Sequence, residues 1–147
     1  MGIYYKSPLG ILKIDTNQTK IKRISIVKKI LIPVEKNHQI KALLDSYFKG
    51  RKVNFKLAID LSGLSSFQKK VLLAVRKIPY GKTISYKELA IRIKNPKAVR
   101  AVGQALKKNP LPIIIPCHRV LRADKSLGGF NLGLKAKKYL LQLEGIK

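Results

Sequence analysis

The chain has 147 residues, close to the usual size of one domain, so two domains fit only if both are small. Hydrophobic residues make up 46% of the chain, which is enough to bury a core and excludes a disordered basic tail. Thirty-two Lys and Arg against seven Asp and Glu give a net charge of +25, which attracts polyanions. Nucleic acid is therefore the first partner to consider.

The positive charge is spread along the whole chain. Residues 1–58 carry 13 basic and 3 acidic side chains, and residues 59–147 carry 19 and 4. Lys-rich compositions also accompany heat adaptation through surface ion pairs. Such networks need both signs of charge, however, and seven acids cannot pair thirty-two bases, whereas a phosphate backbone could.

Cysteine usage excludes several classes of site. Cys117 is the sole cysteine and His38 and His118 are the sole histidines, so neither an intramolecular disulfide nor a structural metal is expected. The N-terminus lacks the apolar core of a signal peptide, and no run approaches the roughly 18 apolar residues of a membrane span. We expect a cytoplasmic protein.

Residues 1–60 predict a small α/β domain. β-branched residues around positions 11–14 and again at 24–27 indicate strands of an antiparallel sheet. Apolar residues then recur at helical spacing over 38–49. Residues 53–57 alternate and predict a further strand.

Residues 61–147 predict a helical domain. Ser65 with Gln68 three positions later forms a capping box before one apolar helical face, and Ser85 with Glu88 repeats the pattern before the next helix.

A third helix is predicted from Lys97 to Lys108, with Asn95 as its N-cap and Pro96 as its first residue. With the preceding helix it predicts a helix-turn-helix, winged-helix-like motif, in which the second helix enters DNA. Helix pairs with short links are equally common in helical domains without this function. Composition favours DNA here, because Ala98 and Ala101 leave the helix slim while Lys97 and Arg100 give it charge.

Residues 113–120, which read IIIPCHRV, are the most specific stretch of the chain. Pro116 changes the chain direction just where the sole thiol and an imidazole follow each other. A lone buried cysteine is usually an inert small hydrophobe. Here His118 and Arg119 offer the base or the cationic field that a nucleophilic thiol needs.

Several motifs together resemble the O6-alkylguanine-DNA alkyltransferases. They occur in the family's order and spacing across residues 62–147, whereas residues 1–58 are similar only in architecture. The motifs are PYGKTISY at 79–86, LA at 89–90, NP at 95–96, RAVG at 100–103, NPLPI at 109–113, PCHRV at 116–120, GGFN at 128–131 and EG at 144–145.

The resemblance implies direct reversal of DNA damage. Cys117 would accept the alkyl group from O6 of guanine in a single turnover, because the product is a stable thioether. It implies a monomer that needs no cofactor and binds double-stranded DNA through the minor groove. Small Ala98 and Ala101 suit that narrow groove.

The resemblance also implies roles for particular side chains. Glu144 would fix the tautomer of His118, which would take the Cys117 proton through a water molecule. Tyr86 would crowd the 3′ phosphate and donate to N3 of the leaving guanine. Arg100 would fill the space of the flipped nucleotide, since O6 cannot be reached inside a stacked base pair. By their sequence positions alone, Glu144 reads as a solvated helix end, Tyr86 as core and Arg100 as a solvated charge.

The substrate pocket would be built from four further residues. The carbonyl groups of Cys117 and Val120 would accept from the guanine amino group, and the amide of Asn131 would donate to O6. Phe130 would form an apolar wall where many relatives carry Tyr, so the range of adducts is open. Lys137 matches a pocket lysine of the family, although one lysine of three in residues 135–138 could equally be solvated.

Asn109 would link the helix-turn-helix to the Cys117 turn through hydrogen bonds to the backbone, although an Asn before Pro is also natural in any turn.

Two other function classes compete with repair. A DNA-binding regulator would need neither the PCHR motif nor Glu144, and relatives that only flag lesions replace the cysteine, whereas Cys117 is present here. A cysteine hydrolase would have to turn over and would not explain the charge of +25.

Overall fold

The computed structural model describes residues 2–31, 34–124 and 126–146. Contacts between Cα atoms divide the chain into two compact units, Met1–Leu61 and Ser62–Lys147. Both units contain buried apolar side chains. Every helix in the described ranges is too short or too polar to cross a lipid bilayer.

The described part of the first unit contains a four-stranded sheet in the order β3-β2-β1-β4. Strands β1 (Gly2–Ser7), β2 (Gly10–Asn17) and β3 (Lys20–Val27) pair antiparallel, whereas β4 (Val34–Glu35) pairs parallel with β1. The expectation of an antiparallel sheet is therefore wrong for the fourth strand. Two residues carry too little pattern to reveal β4 or its direction.

Helix α1 (His38–Phe48) follows the predicted span closely. It begins after Asn37, whose side chain accepts a hydrogen bond from the Ile40 backbone N–H at 3.0 Å. It ends at Lys49, and Gly50 takes the left-handed backbone, with φ of 81°, that closes many helices.

Residues 53–57 form no strand in the described structure, contrary to the prediction from their alternation. Phe55 is buried and both of its neighbours are exposed. The alternation of apolar and polar residues therefore reflects which side chains are buried and not pairing with another strand. The chain pairs with the sheet only just beyond, where Ile21 donates to the Ala58 carbonyl and accepts from the Asp60 N–H. A strand needs a partner edge for its backbone groups, which a local pattern does not reveal.

The second unit is mainly helical in its described residues. Its helix α4 packs against α2 and α3, and two short parallel strands, β5 and β6, join distant parts of the unit. The elements are α2 (Ser66–Arg76), β5 (Ile84–Ser85), α3 (Tyr86–Arg92), α4 (Val99–Lys107), a one-turn 3-10 helix (Cys117–Arg119), β6 (Val120–Leu121) and α5 (Leu134–Leu143).

Side-chain caps set the start of two of these helices, as predicted. Ser65 and Gln68 bond each other's backbone N–H groups in a capping box before α2. The Ser85 hydroxyl accepts from the Glu88 N–H and places Tyr86 at the first position of α3.

Helix α4 begins later than predicted. Asn95 and Pro96 belong to a turn in which the Ala98 N–H donates to the Asn95 carbonyl, and the helix starts at Val99. Asn followed by Pro favours such a turn as well as a helix start. Lys97 and Ala98 therefore precede the helix on which they were predicted to lie.

Candidate active site

Cys117 is presented by a tight and strained segment. Pro116, with φ of −79° and ψ of 65°, is the centre of an inverse γ-turn in which the Cys117 N–H donates to the Ile115 carbonyl at 2.7 Å. Ile113 has a φ of 77°, a conformation that costs a β-branched residue on the order of 1–3 kcal/mol. The surrounding contacts must hold this backbone in place.

Asn109 supplies those contacts. Its side-chain amide is fully buried, donates to the Ile115 carbonyl at 3.0 Å and accepts from the Leu111 N–H at 2.9 Å. The same NH₂ group lies 3.2 Å from Cys117 Sγ, a contact not anticipated from the sequence. The Asn131 side chain in turn donates to the Asn109 carbonyl. Asn109 thus joins the end of α4 to the turn that carries Cys117.

His118 and Glu144 form a buried pair 26 residues apart in the sequence. His118 Nε2 lies 2.6 Å from Glu144 Oε2, and neither side chain is exposed to solvent. Arg119 donates to both carboxylate oxygens, from Nε at 2.8 Å and Nη2 at 3.1 Å, and the Gly81 N–H adds a bond at 3.0 Å. Arg119 Nη1 also donates to the Ile78 carbonyl at 2.6 Å. The carboxylate is therefore held rigidly behind the imidazole.

Burial and hydrogen bonding determine the charge of this network. Burial alone would raise the pKa of Glu144, but the bonds from His118 and Arg119 outweigh it and bring the pKa down to about 2. Burial lowers the pKa of His118, although Glu144 acts in the opposite direction. Near neutral pH the network holds a carboxylate, a neutral imidazole and a guanidinium.

Burial raises the pKa of the Cys117 thiol to about 11, although the Asn109 amide and the charge of Lys137 both favour the thiolate. The resting sulfur is thus a thiol. A base must accept its proton before it can act as a nucleophile.

The thiol lies on the wall of a cleft of about 890 Å³. Five of the predicted site residues line this cleft, together with further cationic and apolar side chains. The lining residues are Tyr86, Lys87, Lys97, Val99, Arg100, Gly103, Gln104, Leu106, Lys107, Cys117, Arg122, Ala123, Gly128, Gly129 and Phe130. The cleft has the volume of a small-molecule site and a cationic rim.

Tyr86 stands at one side of the cleft, close to the loop opposite. A Cβ atom added to Gly128, which has a φ of 66°, would lie 2.6 Å from the Tyr86 hydroxyl oxygen. Burial raises the pKa of Tyr86, so its hydroxyl keeps its proton. Phe130 of the same loop packs edge-on against His118, with ring centroids 6.2 Å apart. The loop therefore fits tightly against both side chains.

Lys137 is fully buried, which decides between the two readings of its sequence position. Its ammonium group donates to the carbonyl groups of Val120 at 2.8 Å and Gly129 at 3.1 Å, and burial lowers its pKa to about 8. Lys135 and Lys138 are the exposed members of the group. The buried lysine connects β6 to the loop over the cleft.

The other predicted site residues lie at several depths. Val120 is fully buried and Asn131 is exposed. Ala101 is exposed on α4, whereas Ala98 is half-buried just before that helix. No group of three or more His, Cys, Asp or Glu in the described ranges could hold a metal ion.

Two members of the buried network escaped prediction. The sequence indicates Arg119 only as a cation beside the thiol and predicts no role for the Gly81 N–H. A sequence does not show that an arginine turns inward to a carboxylate 25 positions away. The signal for Gly81 in the sequence is its place in the PYG turn at residues 79–81.

The chain matches known proteins over almost its whole length. A family model described as "6-O-methylguanine DNA methyltransferase, DNA binding domain" matches residues 66–146. The methylated-DNA–protein-cysteine methyltransferase of Haemophilus influenzae is 42% identical, covering 97% of this chain and 85% of that protein. The crystal structure of Mycobacterium tuberculosis OGT in complex with DNA superposes with a TM-score of 0.86 at 34% identity, covering 97% of this chain and 91% of that one.

A structure of S. pombe Atl1 in complex with damaged DNA containing O6-carboxymethylguanine matches 57% of this chain and 80% of its own, at 35% identity and a TM-score of 0.51. The family model covers more than half of the chain, the Haemophilus influenzae protein shares about two-fifths of its residues, and the Mycobacterium tuberculosis structure shares its fold. The chain therefore belongs to the methylated-DNA–protein-cysteine methyltransferase family.

Proposed function

We propose that this protein repairs duplex DNA by transferring the alkyl group of a flipped O6-alkylguanine to its own Cys117, once per molecule. The observation that carries the proposal is the position of the sole thiol, on the wall of the cleft and directly before His118 of the buried His118–Glu144 pair.

The first step activates the thiol. The pKa of Cys117 is raised to about 11, so the sulfur needs a base, and neutral His118 is the adjacent one. Because Nε2 of His118 faces Glu144, the proton goes to Nδ1 through a water molecule. Glu144 stabilises the imidazolium that forms, and the Asn109 amide stabilises the thiolate.

The second step is an in-line displacement at the alkyl carbon. A carbon–sulfur bond forms to Cys117 as the bond from carbon to O6 breaks, and its electron pair moves into the guanine ring. Tyr86, which keeps its proton at neutral pH, donates to N3 of the leaving base. The product is a thioether with no second thiol to remove the group, so each molecule acts once.

Guanine recognition would use groups beside the thiol. The carbonyl groups of Cys117 and Val120 would accept from the guanine amino group, and the backbone N–H of Asn131 would donate to O6. The Val120 carbonyl already accepts from Lys137, and a carbonyl oxygen has a second lone pair for the base. Phe130 would close the apolar side of the pocket.

DNA would be bound by α3 and α4 acting as a helix-turn-helix. Exposed Arg100 on α4 lines the cleft, where it could fill the space of the flipped nucleotide. Ala98 and Ala101 keep this surface slim enough for the minor groove, and Lys97 adds charge against phosphate. We propose a cytoplasmic monomer that needs neither a cofactor nor a metal.

Intact-mass analysis after incubation with duplex containing O6-methylguanine tests the proposal. One methyl group per protein is expected, on Cys117, with none in Cys117→Ala. Tight binding without a mass change would show a lesion-binding protein instead. Methyl loss from DNA beyond one equivalent would refute the single-turnover mechanism.

A further inference from the structure

The longest acid-free stretch of the first unit includes the edge strand β3, with three cations on that strand and two directly after it. No Asp or Glu occurs from position 16 to 34, and five cations fall within ten residues of that stretch. All five are exposed, and we call them the strand-3 basic surface: Lys20, Lys22, Arg23, Lys28 and Lys29.

A β-bulge in β3 creates part of this surface. The register with β2 shifts between Asp15 and Thr16, so that one residue of β3 is unpaired. Ile21 and Ile24 are both buried while the two residues between them, Lys22 and Arg23, are both exposed. Strict alternation would turn one of these two cations inward. The bulge therefore keeps neighbouring positive charges on the solvent side.

The nearby carboxylates have partners outside the surface. Asp15, which lies opposite Arg23, pairs with Lys13 at 3.6 Å, and Asp60 accepts from the Asn17 side chain at 2.8 Å. Asn17 is neutral and leaves the charge of Asp60 in place, but five cations against these two carboxylates still give a net positive field that an external polyanion can use.

Protection of a sheet edge does not account for five cations. The edge at Ile21 is already bonded to residues 58–60, so that part of the strand is covered without the help of charged side chains. Duplex DNA presents one negative charge per roughly 1.7 Å of axis, which suits three cations on an extended strand followed by two at its end.

We propose that the strand-3 basic surface is a second DNA-backbone contact, separate from the cleft and independent of sequence. The inference rests on the proposed function, because DNA is the polyanion that such a repair protein must approach. This surface would hold the protein on undamaged duplex while the cleft tests individual bases.

The test is the salt dependence of binding to undamaged duplex by the full chain. One variant replaces the five cations by Gln. The control replaces five other exposed lysines of the same unit, Lys36, Lys41, Lys49, Lys52 and Lys56, so both variants carry the same net charge. Each phosphate contact contributes about 0.9 to the slope of log K against log salt.

We expect the slope of the strand-3 variant to flatten by about 2 or more and that of the control by less than about 1, each lost contact counting about 0.9. Equal flattening in both variants, or none in either, would overturn the proposal. Alkyl transfer from a free O6-alkylguanine base, which needs no phosphate contact, should be unchanged in both variants. Failure of the wild-type protein in that assay would refute the proposed repair reaction instead.

Discussion

Replacing Glu144 by Gln should both destabilise the protein and slow alkyl transfer. The substitution keeps the side-chain shape but removes the charge that faces buried Arg119 and His118. A pKa lowered from 4.5 to about 2 corresponds to about 3 kcal/mol, at about 1.36 kcal/mol for each unit of pKa. Breaking a buried ion pair typically costs about 3–5 kcal/mol, which agrees in size.

The pH dependence of this loss follows from the sign of the shift. The pKa of Glu144 is lower in the folded protein, so its contribution is complete above about pH 4.5, its unfolded value, and disappears as the pH falls through about 2. Denaturant unfolding should show a difference of about 3 kcal/mol between wild type and Glu144→Gln at pH 7. The difference should shrink steadily below about pH 4.5.

Transfer should slow with the loss of stability, by up to about 100-fold, because the base next to Cys117 loses its carboxylate. The matched control is Glu88→Gln, whose exposed carboxylate faces Arg92 at 3.8 Å and should change unfolding by less than about 0.5 kcal/mol. Equal effects of the two substitutions on stability and rate would refute the role of the buried network.

Three further predictions concern the cleft and its base. Gly128→Ala should destabilise the protein by about 1–2 kcal/mol and slow repair, because its φ of 66° disfavours a side chain and the new Cβ would meet the Tyr86 hydroxyl. The control is Gly129→Ala, whose Cβ would meet nothing nearer than Lys107 Cε at 3.8 Å. If the two substitutions caused similar losses of stability and of repair rate, the reasoning would be contradicted. Arg100→Ala should slow repair of duplex far more than reaction with the free base in single-turnover assays, whereas Arg51→Ala, at an exposed position of the first unit, should spare both. In a pH–rate profile, the fall of the transfer rate at acid pH should lie below pH 6.5, because burial lowers the pKa of His118. A fall that begins above pH 6.5 would show a more solvated imidazole.

Local chemistry was enough to predict several elements of the structure. The capping box of Ser65 and Gln68, the Ser85 cap and the limits of α1 involve groups within four residues of each other, so the sequence contains both partners. The segment at 53–57 and the start of α4 were predicted wrongly, because alternation and Asn–Pro each suit two local structures.

The sequence by itself determined the basic charge, the sole thiol and the motifs that identified the family. The tertiary structure alone decided which polar groups meet inside the protein. Glu144 faces His118 and Arg119, and Lys137 turns inward to Val120, across 17 to 26 residues of chain. A buried charge is tolerated only where distant groups converge to bond it, and that convergence depends on how the helices and turns pack.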